Sequence, residues 1–183
     1  NQVRLALTFD DGYPEQFERA APVLREEGVP ATFFVISSTI DLPGTEATTF
    51  YQNRVGVDND HAPTSAMLAS LAQDPLFEIG SHSSTHPDMG QVIRHNHLLK
   101  ELQASKNSLE SIIGEQVNSF AYPFGGQANV APGVCLALQE AGFSYGFTIR
   151  PGFNSARTNR YMLHRDSLGP ETDERLLLAW LAG

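Results

Sequence analysis

At 183 residues with a formal net charge of -9, the chain fits one domain and carries the wrong sign to grip a nucleic-acid backbone or an anionic membrane surface. Hydrophobic residues make up 41% of it and charged residues 18%, a globular composition, and no stretch approaches the roughly 20 apolar residues of a membrane span. The single cysteine, Cys135, excludes an internal disulfide and a cysteine-rich zinc site, and is expected as a buried helix residue.

The chain opens at Asn1 in place of Met, so removal of an upstream segment is expected. Residues 3–9 carry few charges and end in Asp10-Asp11-Gly12, the pattern of a buried strand running into a loop. Pro14 opens helical spacing through Phe17, Ala20, Ala21 and Leu24, closed by Gly28 and Pro30. Residues 31–36, β-branched and aromatic, predict a second strand. Between Asp41 and Pro63 periodicity disappears, which reads as a long surface excursion bordering a cleft. Helical spacing resumes from Ser65 to Leu71, and residues 76–80 form a short strand feeding into His82. The longest helix is expected over residues 92–113, stopped by Gly114. Then come a strand over 117–122, a helix over 132–141, strands over 143–149 and 161–163, and a closing helix over 171–181 in which Trp180 packs. Strands alternating with helices predict a parallel sheet or barrel, with its site at the C-terminal ends of the strands.

Three groups of residues at such ends carry chemistry. The paired carboxylates Asp10 and Asp11 repel unless a cation or hydrogen bonds stabilise both, although Asp-Gly is also a common turn dipeptide. In His82-Ser83-Ser84-Thr85-His86 two imidazoles stand at i and i+4, on one face of a helical turn, a spacing that suits a zinc-sized ion or two ordinary loop residues. His95 and His97, at i and i+2, cannot share a face and read as solvated. The third group is Phe120-Ala121-Tyr122-Pro123-Phe124-Gly125.

Thr8-Phe9-Asp10-Asp11-Gly12, the His82 to His86 run and the Phe120 to Gly125 run occur in this order, and residues 31–35 and 78–82 fit as well. Together they resemble the polysaccharide deacetylases of the NodB-homology family, carbohydrate esterase family 4, over most of the chain, from Leu5 to about Arg165. The resemblance implies an α/β fold, a distorted (β/α) barrel of the NodB type with parallel strands and outer helices. It further implies one metal-dependent deacetylase domain in which Asp10 is the general base and Asp11, His82 and His86 hold one divalent ion. Zn²⁺ suits two imidazoles and a carboxylate best, with Co²⁺, Ni²⁺ or Fe²⁺ tolerated. By the same likeness the backbone N–H of Phe124, beside Tyr122, stabilises the oxyanion, and an acetylated amino-sugar glycan is the substrate partner. A bacterial cell-envelope or secreted location is favoured, with a cytoplasmic one left open.

The chain departs from the family in two places. Ala121 stands where the third motif has arginine, which leaves Arg150 or Arg165 to orient Asp10, and the Asp-Trp motif is not visible. His164 is the candidate acid for the leaving amine, yet relatives of the Phe-Ala-Tyr-Pro type carry Leu-Pro-Arg where this chain has Leu163-His164-Arg165. These departures leave two other readings open: a deformylase or cyclic amide hydrolase on a small molecule, and a carbohydrate-binding relative with impaired catalysis.

Overall fold

The computed structural model describes residues 5–91, 94–169, 172, 173 and 175. Five parallel strands, β1 (Leu7–Phe9), β2 (Ala31–Val35), β3 (Phe77–Ser81), β4 (Ser119–Ala121) and β5 (Tyr145–Phe147), lie side by side in chain order. Leu7 pairs with Ala31, Ala31 with Phe77, Ser81 with Phe120 and Phe120 with Gly146. Each connection advances by one strand without reversal, so the sheet curls as a barrel wall does instead of splitting at a switch point. This is a distorted (β/α) barrel of the NodB type.

Burial explains the strand lengths. Central β2 is covered on both faces, and Phe33, Phe34 and Val35 are fully buried. Phe33 belongs to the helix-side core, with Phe9, Phe17 and Phe77 around it. Phe34 faces the other way, against Phe147, in space left by Gly80: a Cβ there would lie 2.4 Å from the Phe34 ring. The expected buried strand over 3–9 is an edge strand in its described part. Leu7 and Phe9 have β2 on one side and are half-buried, and Leu5 is exposed.

The helices follow their apolar spacing. α4 (His95–Ile113) buries Leu98, Leu102, Ser105, Leu109 and Ile113 as one stripe and ends at left-handed Gly114. α3 (Ser65–Leu71) starts on Thr64, whose hydroxyl accepts from the Met67 N–H. α5 (Val134–Glu140) carries Cys135, half-buried and free, not fully buried as expected. α1 (Ala21–Glu26) is preceded by a π turn, Gln16–Ala20, because Pro22 lacks the N–H that an unbroken ladder needs. His95 and His97 are exposed, and His95 is not merely solvated: its Nε2 lies 2.6 Å from Glu140 of α5.

The expected structureless excursion is partly helical. α2 (Gly44–Phe50) runs into a π turn, Tyr51–Val55. The period was hidden because among the residues of α2 and the π turn only Ala47 and Tyr51, one turn apart, are buried. Residues 161–163 make a single bridge, Leu163 to Phe147, on the outer edge of β5. The expected closing helix and Trp180 fall outside the described residues, apart from positions 172, 173 and 175.

Candidate metal centre and base

Every chemical side chain singled out from the sequence follows a strand. Asp10 and Asp11 leave β1, His82 leaves β3, Phe124 lies beyond β4, Arg150 beyond β5 and Arg165 beyond the Leu163 bridge. The turn out of β1 is tight. Asp11 and Gly12 both take left-handed φ, 72° and 73°, and a Cβ on Gly12 would lie 2.9 Å from Val35 Cγ1. Asp11, Ser83, His86 and Phe124 all have positive φ as non-glycine residues, a strain that only a surrounding framework can hold.

Residues 82–86 form an irregular loop and not the expected helical turn. The Ser83 hydroxyl accepts the His86 N–H at 3.0 Å, a local bond that competes with helix formation. Ser105 of α4 braces this loop through the Ser81 hydroxyl and the Ser83 carbonyl, and Glu101 accepts from Thr85. The imidazoles still converge. Their ring centroids are 5.1 Å apart, and Asp11 Oδ1 lies 3.4 Å from His82 Nε2 and 3.5 Å from His86 Nε2.

Both rings are oriented from behind. His82 Nδ1 lies 2.9 Å from the Ala121 carbonyl oxygen and His86 Nδ1 2.9 Å from that of Arg54. Carbonyls only accept, so each Nδ1 carries a proton, and each Nε2 is the ring nitrogen turned toward the Asp11 oxygen. Two imidazoles so fixed, with a carboxylate, form a donor set that suits a divalent cation of the zinc type.

Asp10 is held apart from that cluster. Arg165 reaches it bidentately, Nη1 to Oδ1 at 2.7 Å and Nη2 to Oδ2 at 2.8 Å. The guanidinium is itself fixed by the Thr148 carbonyl at 2.9 Å, the Thr8 hydroxyl at 3.0 Å and the face of Phe34. Burial alone would raise the Asp10 pKa, but His82, then Arg165 and His86, overcome it and hold the carboxyl below its ordinary range. Burial also pulls His82 down, yet the Asp10 and Asp11 carboxylates leave it raised. For His86, burial and the neighbouring His82 prevail, and it is lowered. The conflict between adjacent carboxylates thus has separate answers: Arg165 beside Asp10, two histidines beside Asp11.

The remaining candidates sort by their contacts. Arg150 meets Arg165 through its backbone carbonyl, which accepts the Arg165 N–H at 3.1 Å and lies 3.3 Å from His164 Nδ1. Asn154 clasps the His164 backbone at both N–H and carbonyl. No hydrogen bond joins His164 to Asp10, Asp11, His82 or His86 among the described residues. Tyr122 is fully buried, with its N–H given to Phe147 and its hydroxyl to Tyr161. Phe124 is exposed, its ring packs edge-on against His86, and its N–H has no partner among the described residues.

Sequence reasoning missed Tyr13. Its hydroxyl is raised in pKa by burial and by the neighbouring Asp11 carboxylate. Its place directly after the Asp-Asp-Gly run was the available signal. The Ala121 and Arg54 carbonyls had none, since every residue has one.

The family described as Polysaccharide deacetylase matches residues 1–146. The chain belongs to the polysaccharide deacetylase family. It is 26% identical over 164 residues to YxkH of Bacillus subtilis, named for the same family, covering 90% of this chain and 51% of that protein. It is 24% identical over 187 residues to a poly-beta-1,6-N-acetyl-D-glucosamine N-deacetylase of Staphylococcus aureus, covering 95% and 57%. The chain therefore spans little more than half the length of these curated relatives. The structure of IcaB from Ammonifex degensii shares the fold, with a TM-score of 0.77 at 21% identity over 100% of this chain and 75% of that one.

Proposed function

We propose that this domain is a metal-dependent hydrolase that removes N-acetyl groups, with O-acetyl groups as the nearest variant, from an amino-sugar polysaccharide. The observation that carries the reading is a division of labour: one carboxylate faces two tautomer-fixed histidines, and its neighbour is engaged by an arginine instead. Asp11, His82 and His86 would hold the ion, with Zn²⁺ favoured by the donor set and Co²⁺, Ni²⁺ or Fe²⁺ compatible with it. Such an ion supplies Lewis acidity toward water and toward the acetyl carbonyl.

The chain's own groups do the rest. Asp10, ionised at neutral pH, accepts the proton of the attacking water, and Arg165 keeps its two oxygens aimed. The Phe124 N–H donates to the oxyanion of the tetrahedral intermediate, which agrees with its lack of another acceptor. Tyr122 braces the Phe124 loop from below through its bonds to Phe147 and Tyr161. His164, with Nδ1 on the Arg150 carbonyl, presents Nε2 as the acid for the leaving amine. The Staphylococcus aureus relative's named substrate makes poly-N-acetylglucosamine the first glycan to test.

The decisive experiment pairs metal analysis with acetate release from poly-N-acetylglucosamine and chitooligosaccharides. Stoichiometric metal with acetate release supports the proposal. Formate release from a small amide would favour the deformylase reading, and glycan binding without turnover the catalytically impaired one.

A further inference from the structure

The excursion between Asp41 and Pro63 reaches the proposed metal site through its backbone. We infer that the π turn Tyr51–Val55 is an outer shell of that site: its Arg54 carbonyl positions His86, and its Tyr51 side chain positions the turn. The inference rests on the proposed metal function and assigns part of the ion's affinity to a segment 32 residues from the ligand it serves.

The carbonyl is available because the last carbonyls of a helix lack partners within the helix. Arg54 occupies that last turn, and its oxygen lies 2.9 Å from His86 Nδ1. The turn closes by an i to i+5 bond, from the Gly56 N–H to the Tyr51 carbonyl at 2.8 Å, with Gly56 left-handed at φ 87°. One residue fewer would tighten it to an α turn and swing the Arg54 carbonyl by about 100°. Tyr51 is fully buried, and its ring packs 5.3 Å from that of Tyr13, two residues along the chain from Asp11. The same turn thus backs one ligand through a carbonyl and packs its ring beside the chain that leaves the other. Its stem is pinned where the Asp41 N–H meets the Pro63 carbonyl at 2.9 Å and Asp41 Oδ1 accepts the Ser65 N–H at 3.0 Å. His82 leans on β4, a sheet strand. His86 leans on this excursion, so the excursion tunes the site.

The test is Zn²⁺ affinity, measured by chelator competition on three full-length proteins: unaltered, lacking Asn53, and Arg54→Ala. Removing Asn53 should weaken binding about 10- to 100-fold, the usual effect of losing a ligand's outer partner, with the circular dichroism of the metal-free protein unchanged. Arg54→Ala should bind as the unaltered protein does, because the carbonyl remains. Equal affinity in all three, or equal loss in both variants, overturns the inference. Should the deletion variant not fold, nitrogen NMR of His86 in the unaltered metal-free protein decides: the Nδ1–H tautomer supports the inference and the Nε2–H tautomer overturns it. Failure of the unaltered protein to bind Zn²⁺ sinks the metal reading itself, and this inference with it, whereas failure at the deletion alone leaves the metal reading standing.

Discussion

On the proposed role of Asp10, replacing Arg165 separates a poorly aimed base from a missing one. In Arg165→Lys a positive charge remains, but an ammonium cannot reproduce the planar fork that meets both oxygens of Asp10 at 2.7 and 2.8 Å. Removal of the base altogether costs roughly 10²–10⁴-fold in rate, and that sets the ceiling. A carboxylate still present but displaced by about 1 Å loses about 10²-fold. We therefore expect Arg165→Lys to lower kcat by about 10²-fold and Arg165→Ala to approach the ceiling, with KM changed little. Stability should fall too. Side-chain exposures of 11% for Arg165 and 28% for Asp10 place the pair between surface and core, so Arg165→Ala should cost about 2 kcal/mol. Acetate release under saturating substrate, urea unfolding and metal content on the same preparations make the assay. Full activity in Arg165→Ala would refute the orienting role, and loss of metal would show that Arg165 acts on the ligand cluster instead.

Four more outcomes follow from described contacts. Asp10→Asn should keep its metal while turnover falls roughly 10²–10⁴-fold, whereas Asp11→Asn should lose metal; the opposite pattern in elemental analysis reverses the two roles. Because the folded-state pKa of Asp10 is lowered, its pair with Arg165 contributes fully above the unfolded value of about 3.9 and is lost as pH falls through the folded value. The stability gap between unaltered protein and Arg165→Ala should thus be flat from neutrality to about pH 4 and shrink below it; a gap independent of pH refutes this. His164→Ala should slow amide substrates far more than aryl acetates, whose leaving groups need no proton, and equal effects on both would remove His164 from the acid role. Gly80→Ala should destabilise the fold by about 1–3 kcal/mol, since its methyl meets the Phe34 ring beneath Arg165, and an unchanged Tm would contradict that packing.

What the sequence made legible was whatever repeats with a period or carries its own chemistry. The strands after which Asp11 and His82 follow, the stripe of α4 and the glycine stop at Gly114 all have local signatures. The convergence of Asp11, His82 and His86 was expected from resemblance, and the coordinates bring them together. Hidden features depend on distant atoms. α2 shows no stripe because it buries so little, residues 82–86 have the histidine spacing of a helix but serine bonding that prevents one, and β1 is half-buried because it lies at the sheet edge, which its own residues do not announce. The choice between Arg150 and Arg165 likewise rests on pairing beyond β5, which brings the Arg165 guanidinium to Asp10 and sets only the Arg150 carbonyl against the Arg165 backbone.

The bond between Asp10 and Arg165 spans 155 positions of the chain, so the residue that fixes the base is encoded long after the base itself. Asp11, His82, His86 and the carbonyls behind the rings all lie at or before residue 121, so every contact of the proposed ion's cage is encoded upstream of the residue that aims the base. Arg165 reaches that base from a position fixed by Thr8 and Thr148. On the proposed roles, the metal contacts and the contact that aims the base are therefore separable along the chain, and competence depends on the late arginine as much as on the cofactor.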